Sequence, residues 1–182
     1  MPHASLLTQR DVRGSVSDID WLPGTQAWQR DRFVPAGLKQ RQRAKVRVPE
    51  SEIVIELEFE DDKEPVWLRP TAQALVDLLD LPENWDSYGA RPVNPETVRF
   101  VLRFLSETMR EDTPAPAVVP TSHGGVQLEW HTRGIDLEIE IQFPGHTHVS
   151  YEDHRSDNEW EAELTSDLTR LSDAILELSR RG

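Results

Sequence analysis

The segment 117–152 constrains the fold most, because apolar and polar residues alternate along it with a period of two. Three groups of turn-forming residues interrupt it: Ser122-His123-Gly124, Arg133-Gly134 and Pro144-Gly145-His146. Alternation between tight turns is typical of antiparallel strands with one buried face. We therefore predict a meander with strands at 117–121, 125–132, 135–143 and 147–152.

The apolar positions of this meander predict its buried face. They are Val126, Leu128, Trp130, Ile135, Leu137, Ile139, Ile141, Phe143, Thr147, Val149 and Tyr151. A further alternating stretch, 52–60, predicts one more half-buried strand.

Three segments are predicted as helices. The first is short and runs from Ala72 to Leu79, and the second spans 95–111, with Asn94 as its N-cap and Pro95 at its first position. Ser156-Asp157-Asn158-Glu159 has the pattern of a capping box, so we predict a third helix at 157–179. The fold class is thus α+β: an antiparallel meander of four to five strands packed against two or three helices, with an irregular basic N-terminal arm.

Charge divides the chain into two parts. Residues 1–49 have nine Lys/Arg and four Asp/Glu, whereas residues 50–182 have eleven and twenty-nine, within a total net charge of −13. We predict a basic, aromatic-containing arm at 1–49 and an acidic domain at 50–182. The arm either docks on its own domain, binds a protein partner, or binds nucleic acid through its cations and aromatic rings. Its basic candidates are Arg30, Arg32, Lys39, Arg41, Arg43, Lys45 and Arg47.

Composition excludes several classes of protein. There is no cysteine, which excludes disulfide scaffolds and thiolate metal sites. No apolar run approaches the roughly 18 residues of a membrane span, and no signal peptide is visible at the N-terminus. We expect a cytoplasmic protein without a membrane partner and without a cofactor.

The outward face of the meander concentrates carboxylates and imidazoles. If Arg133-Gly134 is a two-residue turn, Glu129 lies opposite Glu138, His131 opposite Asp136 and Gln127 opposite Glu140. A three-residue turn at 144–146 would place His148 opposite Gln142, on the same face. Opposed carboxylates repel, so a cation, a shared proton or the basic arm must offset them. The face is a solvated or arm-covered surface, a ligand-binding surface, or a zinc or manganese site; its candidate residues are Glu129, His131, Glu138, Glu140 and His148.

The loop 81–92 combines turn-forming residues with two large aromatic side chains, Trp85 and Tyr88. In one interpretation Trp85 fills the core, Asp86 caps backbone amides and Gly89 adopts a left-handed conformation. In the other, Trp85, Asp86 and Tyr88 form a recognition loop for a partner or a ligand.

Two motifs carry a family resemblance. Asn84-Trp85-Asp86-Ser87-Tyr88-Gly89-Ala90 and Gly124-Gly125-Val126-Gln127-Leu128-Glu129-Trp130 resemble those of a widespread set of small uncharacterised bacterial and phage proteins. Members of that set usually have Gly where this chain has Ser87. The resemblance covers about residues 75–152 and implies a shared α+β fold, with no activity to transfer.

These observations favour a non-enzymatic protein–protein interaction component of the bacterial cytosol, accessory or antitoxin-like. The near-heptad apolar seam of the predicted 157–179 helix also allows a homo-oligomer. One alternative is a metal-dependent enzyme or ligand-binding module that uses the outer face of the meander. The other is nucleic-acid binding through the arm.

Overall fold

The computed structural model describes residues 42–47, 54–59 and 64–181, and it has the predicted α+β class. The chain divides into two compact units, Met1–Glu64 and Pro65–Gly182. The charge boundary predicted after residue 49 falls within the first unit.

The second unit contains three helices and a five-stranded antiparallel sheet with strand order β3-β4-β5-β6-β7. Its helices are α1 (Leu68–Asp77), which continues into a 3-10 turn at Leu78–Asp80, α2 (Pro95–Thr108) and α3 (Thr169–Arg180). Its strands are β3 (Ala117–Pro120), β4 (Val126–Thr132), β5 (Ile135–Phe143), β6 (His146–Asp153) and β7 (Asn158–Glu163).

One face of this sheet forms the core. The predicted inward residues of β4, β5 and β6 are buried, with Phe143 as the exception, and the helices contribute Leu75, Leu102, Leu105 and Leu171. Helix α2 contacts β4 and β5. Its start is as predicted, because the Asn94 side chain accepts a hydrogen bond from the Glu96 amide. None of the helices among the described residues is long and apolar enough to cross a membrane.

The predicted helix at 157–179 is wrong in its first half. Asn158–Glu163 is a strand paired with β6, and the helix starts only at Thr169. Of the residues taken as a capping box, Ser156 and Asp157 lie in the hairpin turn between β6 and β7, and Asn158 and Glu159 begin β7. In that turn the Asp153 carboxylate accepts hydrogen bonds from the Arg155 amide and the Ser156 hydroxyl. The alternation of Glu with Trp160 and Ala162 fits a strand, and pairing satisfies the free edge of β6.

The near-heptad apolar seam, which allowed a contact with a second chain as an alternative to packing on the sheet, is therefore not one helical face. Trp160 lies on β7 and stacks on Tyr151 with ring centroids 5.6 Å apart. Leu171, Ile175 and Leu178 of α3 are buried against their own chain. The predicted homo-oligomer contact through a 157–179 helix loses its basis.

The turn between β5 and β6 also differs from the prediction. Phe143 pairs with His146 across a two-residue Pro144-Gly145 turn, and the register shifts between Ile141 and Phe143. This bulge at Gln142 leaves Phe143 54% exposed, although its place in the alternation predicts burial.

In the first unit, β1 (Gln42–Arg47) and β2 (Val54–Phe59) form an antiparallel pair. Strand β2 lies within the predicted strand at 52–60, but β1 lies in the segment predicted to be an irregular arm. The register places Arg43 opposite Glu58 and Lys45 opposite Glu56, and opposite charges across a ladder favour pairing. The prediction missed β1 because it weighed apolar periodicity alone.

Candidate functional site

Hydrogen bonds within the loop Asn84–Ala90 hold it in one conformation. The Asn84 side chain accepts from the Gly89 amide at 2.7 Å, and the Asn84 amide donates to the Ala90 carbonyl at 2.7 Å. Asp86 Oδ1 accepts from the amides of Tyr88 at 2.7 Å and Ala90 at 3.0 Å. These amides lower the pKa of Asp86, because they stabilise its charged form. The Asp86 carboxylate thus organises the loop backbone.

Three residues of the loop have left-handed backbone conformations, and two of them have side chains. The φ angles are 62° at Asn84, 67° at Ser87 and 95° at Gly89. Asparagine and glycine tolerate this region well, whereas serine is strained there. A glycine at position 87 would relieve that strain.

The two aromatic side chains of the loop have different environments. Trp85 is half-buried, and its indole N–H donates to the Arg91 carbonyl at 3.2 Å, so it braces the loop rather than filling the core. Tyr88 is 93% exposed. Two other tryptophans, Trp67 and Trp130, are buried in the core, and the Trp130 indole N–H donates to the Pro114 carbonyl at 2.7 Å.

The chain just after the loop is fastened to the β3–β4 turn. The Arg91 amide donates to the Ser122 carbonyl at 3.0 Å, and the Asn94 amide donates to the Gly124 carbonyl at 3.3 Å. A Cβ at Gly124 would lie 2.7 Å from the Pro92 carbonyl oxygen, so this approach requires glycine. These contacts attach the loop to the β3–β4 turn, and Tyr88 lies on the surface of the loop.

The outer face of the sheet has the predicted pairing of β4 and β5. Glu129 lies opposite Glu138, His131 opposite Asp136 and Gln127 opposite Glu140. His148 lies on this face as predicted, but its predicted partner Gln142 is wrong, because the bulge at Gln142 places His148 opposite Glu140. The strands β4 to β7 contain no Lys or Arg, and their outward carboxylates are Glu129, Asp136, Glu138, Glu140, Glu152, Glu159, Glu161 and Glu163.

An amide and an imidazole offset the opposed pair Glu129 and Glu138. Gln127 Nε2 donates to Glu129 Oε1 at 3.0 Å and to Glu138 Oε2 at 3.1 Å. His131 Nε2 lies 3.6 Å from Glu129 Oε2 and 3.9 Å from Glu138 Oε1. A cation, a shared proton or the basic arm was predicted to offset this pair, and the glutamine was not.

Among the described residues, one group of side chains that could hold a metal ion lies at the end of this face, in the cluster Asp136, Glu152 and His154. One ligand atom from each lies within 4.8 Å of the other two. Asp136 accepts from His131 Nδ1 at 3.0 Å and from His154 Nε2 at 2.8 Å, and His154 Nδ1 lies 3.2 Å from Glu152 Oε1. The hydrogen bonds to Asp136 raise the pKa of both imidazoles and lower the pKa of Asp136.

The structure brings together only some of the residues predicted for a site on the outer face of the sheet. Glu129, His131 and Glu138 adjoin one another, while Glu140 and His148 face each other one row away. Glu152 and His154 were missed, although His154 continues the outward alternation two residues after Glu152. Arg43, Lys45 and Arg47 lie on β1; the other basic candidates, Arg30, Arg32, Lys39 and Arg41, fall outside the described residues.

A cleft of about 540 Å³ lies between β7 and α3, and the sequence analysis did not anticipate it. Its floor includes the stacked pair Tyr151 and Trp160, and Arg170 lies over the Trp160 ring at 5.8 Å. At the end of α3, Arg181 donates two hydrogen bonds to Asp153, at 2.7 and 2.6 Å. This pairing lowers the pKa of Asp153 far below its usual range.

Comparisons with protein-family models, with curated proteins and with solved structures find no match for this chain. The resemblance to the bacterial and phage set stays a prediction.

Proposed function

We propose that this protein is a non-enzymatic interaction component that binds a partner protein through the loop Asn84–Ala90, with Tyr88 as the anchor. The observation that supports it is the 93% exposure of Tyr88 on a hydrogen-bonded loop. Tyrosine is enriched among residues that dominate binding energy, because it buries a large area at a low cost in conformational entropy.

The rigidity of the loop favours binding. A flexible loop loses conformational entropy when a partner orders it, which weakens association. Here Asn84 and Asp86 already hold the backbone, and Trp85 braces it against the Arg91 carbonyl. The backbone that carries Tyr88 is therefore already ordered before a partner binds.

Charge indicates what kind of partner fits. Residues 65–182 contain ten arginines, no lysine and twenty-one acidic residues. A partner with a basic rim around its tyrosine pocket would associate faster, and salt would slow that association. An accessory or antitoxin-like component of the bacterial cytosol would act in this way, by occupying a basic surface of its partner protein.

Co-purification from the native host tests this proposal. Tagged wild-type protein is compared with Tyr88→Ala, Tyr88→Phe and, as a matched control, Phe143→Ala, which removes another exposed aromatic ring. We expect one protein to be retained by wild type and by Phe143→Ala, reduced at least tenfold by Tyr88→Ala and less by Tyr88→Phe. Recovery of the wild type as a free monomer, or equal retention by Tyr88→Ala, would overturn the proposal.

The cluster Asp136, Glu152 and His154 favours a second candidate function, binding of a divalent transition metal. Two carboxylates and an imidazole suit Zn²⁺ or Mn²⁺, and all three side chains are partly exposed, which leaves room for water ligands. His131, bonded to the other Asp136 oxygen, would orient that carboxylate.

Titration of the full-length protein with Zn²⁺ or Mn²⁺ tests the metal proposal. One equivalent should bind, and the metal at 100 times its dissociation constant should raise the free energy of unfolding by about 2.7 kcal/mol. His154→Gln should abolish this gain and His148→Gln, on the same face, should keep it. The absence of a stability gain with either metal, or the same gain in His154→Gln, would exclude the site.

A further inference from the structure

We propose that the free edge of β7 accepts an extended basic segment of a partner protein as a sixth strand of the sheet. This inference concerns a surface different from the Tyr88 loop and does not depend on it. It rests on the position of β7 in the sheet, on the charge of its outward side chains and on the cleft beside it.

The first observation is that β7 is an edge strand. The sheet order ends at β7, whose six residues pair with β6 on one side only among the described residues. Such an edge presents backbone N–H and C=O groups that an extended peptide can pair with. The opposite edge, β3, has four residues and ends at Pro120, so it offers a shorter ladder.

The second observation is the charge pattern of β7. Glu159, Glu161 and Glu163 alternate along the strand, point to the outer face and are exposed. Three like charges in a row repel a second copy of the same strand, and they attract a strand with Lys or Arg at alternate positions. The register of β1 and β2 follows the same pattern in sequence, since Arg43 is the Cα partner of Glu58 and Lys45 that of Glu56.

The third observation is the cleft between β7 and α3. In an added strand, side chains alternate between the two faces, so those between the basic residues point inward. An inward side chain next to Trp160 would lie at the cleft, where Tyr151 forms the floor and α3 the wall. The cleft combines these two rings with polar and charged side chains, so it offers the inward side chains of an added strand both stacking and polar contacts, as pockets do in other strand-addition complexes.

A short peptide with the sequence of β1, Gln-Arg-Ala-Lys-Val-Arg, serves as the probe because it alternates basic and apolar residues. It is titrated into the full-length protein while backbone amides are followed by NMR. We expect the largest shifts at Asn158–Glu163. A version of the peptide N-methylated at alternate residues keeps its charge but cannot donate backbone hydrogen bonds along one edge. When that edge faces β7, we expect at least tenfold weaker binding. Two peptides are made, one methylated at the odd-numbered and one at the even-numbered residues, so that one of them always blocks the edge that pairs with β7.

Two triple variants with equal loss of charge separate strand addition from general attraction to the acidic face. Glu159→Gln, Glu161→Gln and Glu163→Gln together should weaken peptide binding at least tenfold. Glu129→Gln, Glu138→Gln and Glu140→Gln together, on the same face but in central strands, should change it less than threefold. Absence of shifts in β7, equal binding of both N-methylated peptides and the parent, or equal losses in the two triple variants would each overturn the proposal.

Discussion

At the scale of single residues, the strained position in the Tyr88 loop is Ser87, with φ at 67°. We predict that Ser87→Gly raises the free energy of unfolding by about 0.5–1 kcal/mol, because relief of left-handed strain exceeds the entropy that glycine adds to the unfolded chain. Gly89→Ala is the matched opposite, since φ is 95° there and a Cβ would meet no atom within 4 Å. Gly89→Ala should lower the free energy of unfolding by about 1–2 kcal/mol. Urea denaturation of both variants measures these changes, and a destabilised Ser87→Gly would contradict the backbone assignment.

Gln127 allows a second prediction at this scale, because its amide bonds both Glu129 and Glu138. Gln127→Ala should lower the free energy of unfolding by about 1 kcal/mol, since the opposed carboxylates lose the donor between them. Adding Glu138→Gln should recover most of that loss. Chemical denaturation of the single and double variants gives the coupling free energy between Gln127 and Glu138. Additive effects would show that the amide bridge contributes nothing to stability.

At the scale of secondary-structure elements, the pairing of β6 with β7 replaces a predicted helix. Ser150 and Glu161 are partners across this pair, and such partners are close enough for a disulfide. We predict that Ser150→Cys with Glu161→Cys oxidises readily in this cysteine-free chain, whereas Glu152→Cys with Glu163→Cys, four residues out of register, does not. Mass spectrometry under mild oxidation reads the result, and failure of the first pair would argue against the strand.

The sequence predicts those features of the elements that neighbouring residues determine, such as turns and helix starts. The Arg133-Gly134 turn sets the register of β4 and β5, so Glu129 and Glu138 were placed opposite each other correctly. Asn94 and Pro95 likewise mark the start of α2. The bulge at Gln142 and the strand β7 follow from pairing between distant segments, which the period of a single segment does not reveal.

The candidate site was predictable to a similar degree. Asp86 and Tyr88 stand out because turn residues and aromatics share one short loop. The cluster with Glu152 and His154 was missed because His154 lies in the β6–β7 turn, and that turn exists only because β7 pairs with β6.

At the scale of the whole molecule, acid should unfold the protein partly through Asp153. Arg181, Ser156 and the Arg155 amide lower the pKa of Asp153 from its usual 3.8, so its folded-state pKa is below its unfolded one. The stabilisation is therefore fully present above about pH 5 and is lost as the pH falls through and below about 4.

We predict that Asp153→Asn is less stable than wild type at neutral pH and has a shallower fall in unfolding temperature below about pH 5, in a buffer with a metal chelator. Asp157→Asn, an exposed change in the same turn, should keep the wild-type slope. Thermal melts across this pH range test both expectations, and parallel curves for Asp153→Asn and wild type would contradict the role of the Arg181 pair.

The central claim is that Tyr88 touches a partner protein, and site-specific photo-crosslinking measures this contact directly. All three lysines lie before residue 65, so amine-reactive reagents would not report on the sheet unit. A benzophenone amino acid is placed at position 88 or, as control, at position 143 in the native host. The account predicts a single protein adduct at position 88 and none of that mass at position 143. No protein adduct at position 88, or the same adduct from both positions, would contradict it.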